Sequence, residues 1–199
     1  MSLYPSAGFL TSAAQSTQFP ADSGAEVAFA GRSNSGKSSA INAILARRGL
    51  ARSSKTPGRT RLLNFFDVAA ERRIVDLPGY GFATASAAER ATWAPMIDAL
   101  AARRSLRGLF LVIDSRRGVM EGDVGLLEWA EAARLSIHVL LSKSDKLKRA
   151  EARAALAAAS AALGSRAAAQ LFSVEDGTGL QQARDTLDRW LAVPVVQVE

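Results

Sequence analysis

Apolar residues recur along this chain in two rhythms that take turns. Short apolar runs rich in branched and aromatic side chains lie at EVAFAG (26–31), LLNFFDV (62–68), RRIVDL (72–77), LRGLFLVID (106–114), LSIHVLLS (135–142) and AAQLFSV (168–174), and each predicts a strand. Between them, SSAINAILARR (38–48), ERATWAPMIDALAARR (89–104), VMEGDVGLLEWAEAAR (119–134), RAEARAALAAASAALG (149–164) and LQQARDTLDRWLAV (180–193) carry helical spacing, with Pro95 expected in or near a first turn. The runs at 106–114 and 135–142 are apolar nearly throughout, as strands covered on both faces are. Alternation of this kind predicts an α/β fold with a mostly parallel sheet and helices on both faces. The first 24 residues read as a polar leader, and residues 25–199 as one domain.

Composition narrows the function. The chain has 199 residues, 48% of them hydrophobic, enough for one core of its own. No run approaches the roughly 18 apolar residues of a membrane span, and the N-terminus lacks a signal pattern, so a cytoplasmic protein with no membrane partner is expected. With no Cys and one His, His138 inside LSIHVLL, thiolate, zinc and Ser/His/Asp chemistry have nothing to work with, and His138 reads as a strand residue. The net charge is +6, and all of it falls in residues 43–66, where Arg47, Arg48, Arg52, Lys55, Arg59 and Arg61 stand without an acid. A stretch like that suits an anionic partner, nucleotide phosphate or an RNA backbone.

Chemistry enters at the first strand-to-helix turn. Gly31-Arg32-Ser33-Asn34-Ser35-Gly36-Lys37-Ser38 fits G-x-x-x-x-G-K-[ST] in the context the motif needs. Its amides would wrap a β-phosphate at a helix N-terminus, Lys37 would reach the β- and γ-phosphates, and the Ser38 hydroxyl would ligate Mg²⁺. Two strands end in Asp. Asp76 opens D-x-x-G, so that Gly79 can present its amide to a γ-phosphate while Asp76 holds the metal through water, whereas Asp114 lacks the glycine and reads as a strand-end or helix-capping residue.

Ser142-Lys143-Ser144-Asp145 follows the strand IHVLL and resembles the N/T-K-x-D signature, in which the Asp accepts from the guanine N1–H and amine, a pattern adenine does not supply. Ser142 is smaller than the usual Asn or Thr, and a looser tie to the P-loop is expected. Thr60, after the Pro57-Gly58 break, is the candidate second Mg²⁺ ligand, with Thr56 as fallback. Ser173, at the last strand, is placed to support the guanine from its other side. Tyr80 stands where many signalling GTPases have the Gln that orients water, so hydrolysis is expected to be slow, or to draw on another group, a monovalent cation or a partner. A P-loop ATPase or kinase, and an RNA-binding module with a merely structural P-loop, are the rival readings; the first has no use for Asp145, and the second leaves Lys37, Ser38, Asp76 and Thr60 unexplained.

GRSNSGKSSAIN, KTPGRTRLLNFF, VDLPGYGFA and SKSDKL, in this order, resemble the EngB (YihA/YsxC) family of bacterial GTPases over about residues 25–180. The resemblance implies a small GTPase-like fold, bound GTP or GDP with Mg²⁺, and a role in assembling the large ribosomal subunit, through the subunit or its rRNA, with a link to division and septation; a monomer is expected. Carried onto this chain, the nucleotide contacts are the P-loop from Gly31 to Ser38, then Gly58, Arg59, Thr60, Arg61 and Leu62, then Asp76, Leu77, Pro78 and Gly79. The base side adds Ser142, Lys143, Ser144, Asp145, Ser173 and Val174. Lys37, Thr60 and Gly79 are the implied catalytic positions, and Ser38, Thr60 and Asp76 the metal ligands. Ser142 and Ser144 depart from the family, which more often has Thr and Ala. Asn34 matches an Asn associated in related GTPases with a bound K⁺.

Overall fold

The computed structural model describes residues 4–52, 62–79 and 95–192. Seven strands appear there: β1 Gly8–Ala13, β2 Ala25–Gly31, β3 Leu63–Ala69, β4 Arg72–Asp76, β5 Leu106–Asp114, β6 Ser136–Ser142 and β7 Ala168–Leu171. They form one sheet in the order β1-β3-β4-β2-β5-β6-β7. β2 runs parallel to β4 and β5, and β5, β6 and β7 continue in parallel, while β3 is antiparallel to both β1 and β4. The helices are α1 Lys37–Ile44, a helical segment over residues 95–101 (α2), α3 Glu121–Ala132, α4 Arg149–Leu163 and α5 Leu180–Leu191.

The continuous apolar reading of β5 has a simple cause: neither of its faces meets water. Leu109, Leu111 and Ile113 enter one core with Leu100, Leu127 and Leu163, and Phe110 and Val112 enter the other with Ile41, Ile44 and Leu187. Helices α1 and α5 therefore cover one face of the sheet, and α2, α3 and α4 the other. His138 sits inside β6, its Nε2 2.8 Å from the Gln170 Oε1. Burial lowers its basicity, so it serves as a satisfied core residue, as its sequence setting suggested.

The expected leader contributes more than a leader would. Gly8–Ala13 is an edge strand paired to β3, and its Phe9 stands edge-on to Phe66. Its side chains are mostly half-buried or exposed, which is why no apolar rhythm marks it; pairing with β3 makes it a strand. Arg47 reinforces this attachment by donating to the carbonyls of Pro5 and Ala7 at 2.9 and 3.0 Å. Helix α1 ends at Ile44 rather than running on to Arg48, so Arg47 and Arg48 lie in the connection beyond it. Pro95 is the first described residue of α2, and the expected start of that helix lies outside the described residues. Among the described residues no helix is long and apolar enough to cross a membrane.

Candidate nucleotide-binding site

The parallel strands β2, β4, β5 and β6 end on one edge of the sheet, and the loops leaving them meet around Gly31–Ser38. The local backbone explains the glycines there. Gly31 leaves β2 so close to the returning loop that a Cβ would stand 2.5 Å from Ser35 Oγ and 2.7 Å from the Val112 carbonyl oxygen. Gly36, at φ 95°, makes the left-handed step into α1, whose first residue is Lys37. Asn34 also adopts a left-handed φ of 64°. The N-terminal amides of α1 are thereby turned toward the loop.

Lys37 and Asp76, named independently from two motifs, touch: the lysine Nζ pairs with Asp76 Oδ1. Asp76 ends β4 and is almost fully buried. Burial pushes its carboxyl above the ordinary Asp range, against the pull of Lys37 and of the Asn64 side chain. Asn64 is its partner across the β3–β4 ladder and itself accepts from Ser12 Oγ of β1 at 2.7 Å. Sequence reasoning assigned no role to Asn64, although it stands within KTPGRTRLLNFF, nor to Ser12, whose segment carries no motif. Gly79 lies against the P-loop: a Cβ on it would be 3.0 Å from Ser33 Oγ and 3.3 Å from the Ser33 nitrogen, so the D-x-x-G turn reaches the phosphate loop.

Mg²⁺ fits this donor set. It binds through hydroxyl, one or two carboxylates, waters and substrate phosphate rather than an all-protein cage. Among the described residues no cluster of three or more His, Cys, Asp or Glu able to hold a metal exists, and the site offers one buried carboxylate, Asp76, paired with Lys37, whose neighbour in α1 is Ser38. A divalent cation beside Asp76 would offset the cost of its burial.

On the other side, Ser142 and Lys143 close on the P-loop. Ser142 Oγ reaches the Ser35 carbonyl oxygen at 2.5 Å and the Ile113 carbonyl oxygen at 3.2 Å. The expectation of a looser tie is corrected: Ser142 is buried, and its β-carbon lies beside Gly36, so the short side chain already spans the gap. Lys143, at φ 58°, donates to the Asn34 carbonyl oxygen at 2.6 Å. Asp145 accepts from Ser173 Oγ at 2.8 Å and pairs with Lys146 at 2.9 Å. Lys146 first, and then Ser173, hold its carboxyl below the ordinary Asp range. Ser173 is fully buried and also accepts from the Glu175 amide, so it orients Asp145 from behind instead of facing a base directly. Val174 beside it is exposed, Ser144 is buried, Leu77 belongs to the core, and Leu62 and Pro78 are half-buried at the loop bases.

Two further residues join the loop. Arg32, in the P-loop, turns its side chain away, donating to the Gly118 carbonyl at 3.0 Å and pairing with the buried Asp123 at 3.3 Å. Asp123 in turn accepts from the Met120 amide at the start of α3. Asp114 ends β5 as read, but it caps no helix; it holds Arg116 at 2.7 and 2.9 Å and Lys143 at 3.0 Å. A cleft of about 400 Å³, lined by Arg32, Asn34, Asp114, Arg116 and Lys143 among others, flanks the P-loop here. Thr56, Gly58, Arg59, Thr60, Arg61 and Tyr80 lie outside the described residues.

The comparisons agree with this geometry. A family model described as a 50S ribosome-binding GTPase matches residues 26–143. A probable GTP-binding protein EngB of Nitrosococcus oceani is 48% identical over 196 residues, 96% of this chain and 98% of that protein. The Coxiella burnetii (strain CbuK_Q154) protein of the same description is 46% identical over 193 residues, 95% of this chain and 94% of its own. Among solved structures, a probable GTP-binding protein engB superposes with a TM-score of 0.66 at 20% identity, covering 84% of this chain and 98% of that one. Era in complex with MgGDPNP and nucleotides of 16S ribosomal RNA superposes with a TM-score of 0.61 at 20% identity, over 85% of this chain and 57% of Era. Those two likenesses concern the fold; the sequence relatives, matched at nearly half identity over almost their whole length, decide the family. The chain belongs to the EngB family of GTP-binding proteins, a family of P-loop GTPases.

Proposed function

We propose that this protein is a Mg²⁺-dependent guanine-nucleotide switch that hydrolyses GTP slowly and acts in the cytoplasm as a monomer on the large ribosomal subunit or its rRNA during assembly, with consequences for division and septation. The observation that carries the reading is the convergence of two separate groups on one loop. Asp76, through its pair with Lys37, and Gly79 meet it on its phosphate side, and Ser142 and Lys143, which lead into Asp145, meet it on its base side.

In this reading Lys37 leaves Asp76 when nucleotide enters, reaching the β- and γ-phosphates. Asp76, Ser38 and Thr60 would hold Mg²⁺, which would supply charge neutralisation on the transferring phosphoryl group. Gly79 presents its amide to the γ-phosphate, and Asn34 takes K⁺. Asp145, held ionised and aimed by Ser173, accepts the guanine N1–H and amine; an adenine ring offers no matching donors, which disfavours the ATPase alternative. Support for the ribosomal partner comes from the family description and from the exposed Arg48 and Arg52, two of the six uncompensated cations. The direct test is nucleotide binding followed by sedimentation of the full chain with ribosomal subunits in a GTP analogue and in GDP. Binding of guanine but not adenine nucleotides, and co-sedimentation with the large subunit in the analogue alone, are expected. Absence of GTP binding in Mg²⁺ would overturn the reading.

A further inference from the structure

Lys143 of the base-reading segment makes two contacts that fix where its stem runs. Its Nζ donates to the Asn34 carbonyl oxygen at 2.6 Å and meets Asp114 Oδ2 at 3.0 Å. Asp114 is 5% exposed, so its charge is held largely by protein. It is also fully occupied: Oδ1 accepts from the Arg116 amide at 3.1 Å and from Nε at 2.9 Å, while Oδ2 accepts from Arg116 Nη2 at 2.7 Å. The backbone adds to this constraint. Asp114 and Ser142 are register partners at the ends of β5 and β6, and the Ser115 amide donates to the Ser142 carbonyl at 2.9 Å. Lys143 itself is held in the left-handed region, a conformation that a non-glycine residue keeps only when its surroundings demand it. A flexible four-carbon stem would otherwise sample many rotamers, and its ordering would have to be met by the nucleotide on binding.

We infer that Asp114 is a positioning residue for guanine-nucleotide binding, which, with Arg116 behind it, pre-aligns the Lys143 stem across the P-loop. This rests on the proposed role of Lys143 against the base. Asp114 touches neither base nor phosphate in this arrangement, so its effect passes wholly through Lys143. Two signatures separate that from a general weakening of the fold. Loss of Asp114 affects GDP, GTP and inosine nucleotides alike, because a stacked stem reads neither the exocyclic amine nor the γ-phosphate. It also has no effect once Lys143 is gone.

The test is a double-mutant cycle on the full chain with fluorescent GDP, GTP and ITP analogues, using Asp114→Ala, Asp114→Asn, Lys143→Ala and the double variant, each checked by thermal melting. Asp114→Ala is expected to weaken all three nucleotides by about tenfold, the worth of one charge-assisted hydrogen bond. Asp114→Asn, which keeps size and an acceptor, is expected to recover part of that loss. The double variant is expected to bind within about twofold of Lys143→Ala alone. If the losses of Asp114→Ala and Lys143→Ala multiply, or if Asp114→Ala binds as wild type while Lys143→Ala does not, the inference is overturned and the site reading stands. If Lys143→Ala itself binds all three nucleotides as wild type does, the reading of the site fails, and the inference with it.

Discussion

Replacing Asp145 with Asn changes one atom and should change which base the protein accepts. In the structure Oδ1 of Asp145 is taken by the Ser173 hydroxyl at 2.8 Å, and Oδ2 faces Lys146 at 2.9 Å. Ser173 is buried and its hydroxyl must donate to an acceptor, so in Asp145→Asn the amide oxygen will settle against it. The NH₂ then occupies the place of Oδ2, aimed outward. Guanine presents two donors to that edge, and donor would meet donor; xanthine, with a carbonyl in place of the amine, meets the new NH₂ favourably. Loss of hydrogen bonds to a charged acceptor is worth about 2 kcal/mol or more, a fall of about 30-fold in GTP affinity. Lys146 is well exposed and relaxes into solvent, so little of this loss reflects the fold.

The assay is equilibrium competition of GTP and xanthosine triphosphate against a fluorescent GDP analogue. GTP affinity within about twofold of wild type, or no gain for xanthosine triphosphate, would refute the reasoning. A pH control follows from the sign of the shift. Because Lys146 and Ser173 depress the Asp145 pKa, its contribution is present above that pKa and is lost only as pH falls through it. Wild-type GDP affinity should therefore hold between about pH 8 and about pH 5 as far as this group is concerned, since even an ordinary Asp is ionised there.

Other expectations address the remaining parts. Lys37→Ala should lose GDP and GTP together, whereas Thr60→Ala should spare GDP and weaken only a GTP analogue, as titration of both variants will show; equal losses in Thr60→Ala would point to another ligand. Turnover should be faster in K⁺ than in Na⁺ at matched ionic strength, with Asn34 supplying a cation ligand, and identical rates would remove K⁺ from the account. Glu26, with no exposed surface, accepts from Arg73 at 2.8 Å and Arg103 at 2.6 Å, so Glu26→Ala should cost about 3 kcal/mol or more in urea unfolding by removing the buried carboxylate both cations share, Arg73 keeping Asp67 at 3.8 Å. Arg48→Glu with Arg52→Glu should abolish co-sedimentation with large ribosomal subunits while leaving GTP affinity intact. If about four cations of the segment reach RNA phosphates, subunit affinity should fall with salt at a log-log slope of about −3 to −4, and a flat response would discard the contact.

Sequence alone revealed those parts of the fold and site whose cause is local. Strands β5 and β6 were plain because both faces are buried, and Gly31 and Gly36 because the turn between β2 and α1 tolerates no other geometry. Edge strand β1 was hidden, since its side chains are shared between core and solvent and its stability comes from β3, some 50 residues away. Counted by charge, Arg47 is one more cation of a basic run. Its guanidinium is engaged by backbone carbonyls at the N-terminus, which no count of charges reveals, and the ribosome test accordingly uses Arg48 and Arg52. Asn64 stands within KTPGRTRLLNFF, but its role behind Asp76 is not legible there, for it acts across a ladder and not along the chain.

Ser142 shows why a departure from a motif need not weaken a site. Its position in the signature ties the base-reading segment to the P-loop, and an Asn or Thr does this with a longer or bulkier arm. Here the span is set by the sheet: Asp114 and Ser142 close the β5–β6 ladder in register, and the Ser115 amide holds the Ser142 carbonyl at 2.9 Å. That brings the Ser142 hydroxyl within 2.5 Å of the Ser35 carbonyl. Where backbone register fixes the gap, any hydroxyl of the right reach satisfies the buried carbonyl, and the identity of the residue is free to vary. In the proposed reading Asp145 has no such freedom, because its task there is to present two acceptors to a ligand the sheet does not position. On that reading a serine suffices at position 142, whereas position 145 calls for a carboxylate.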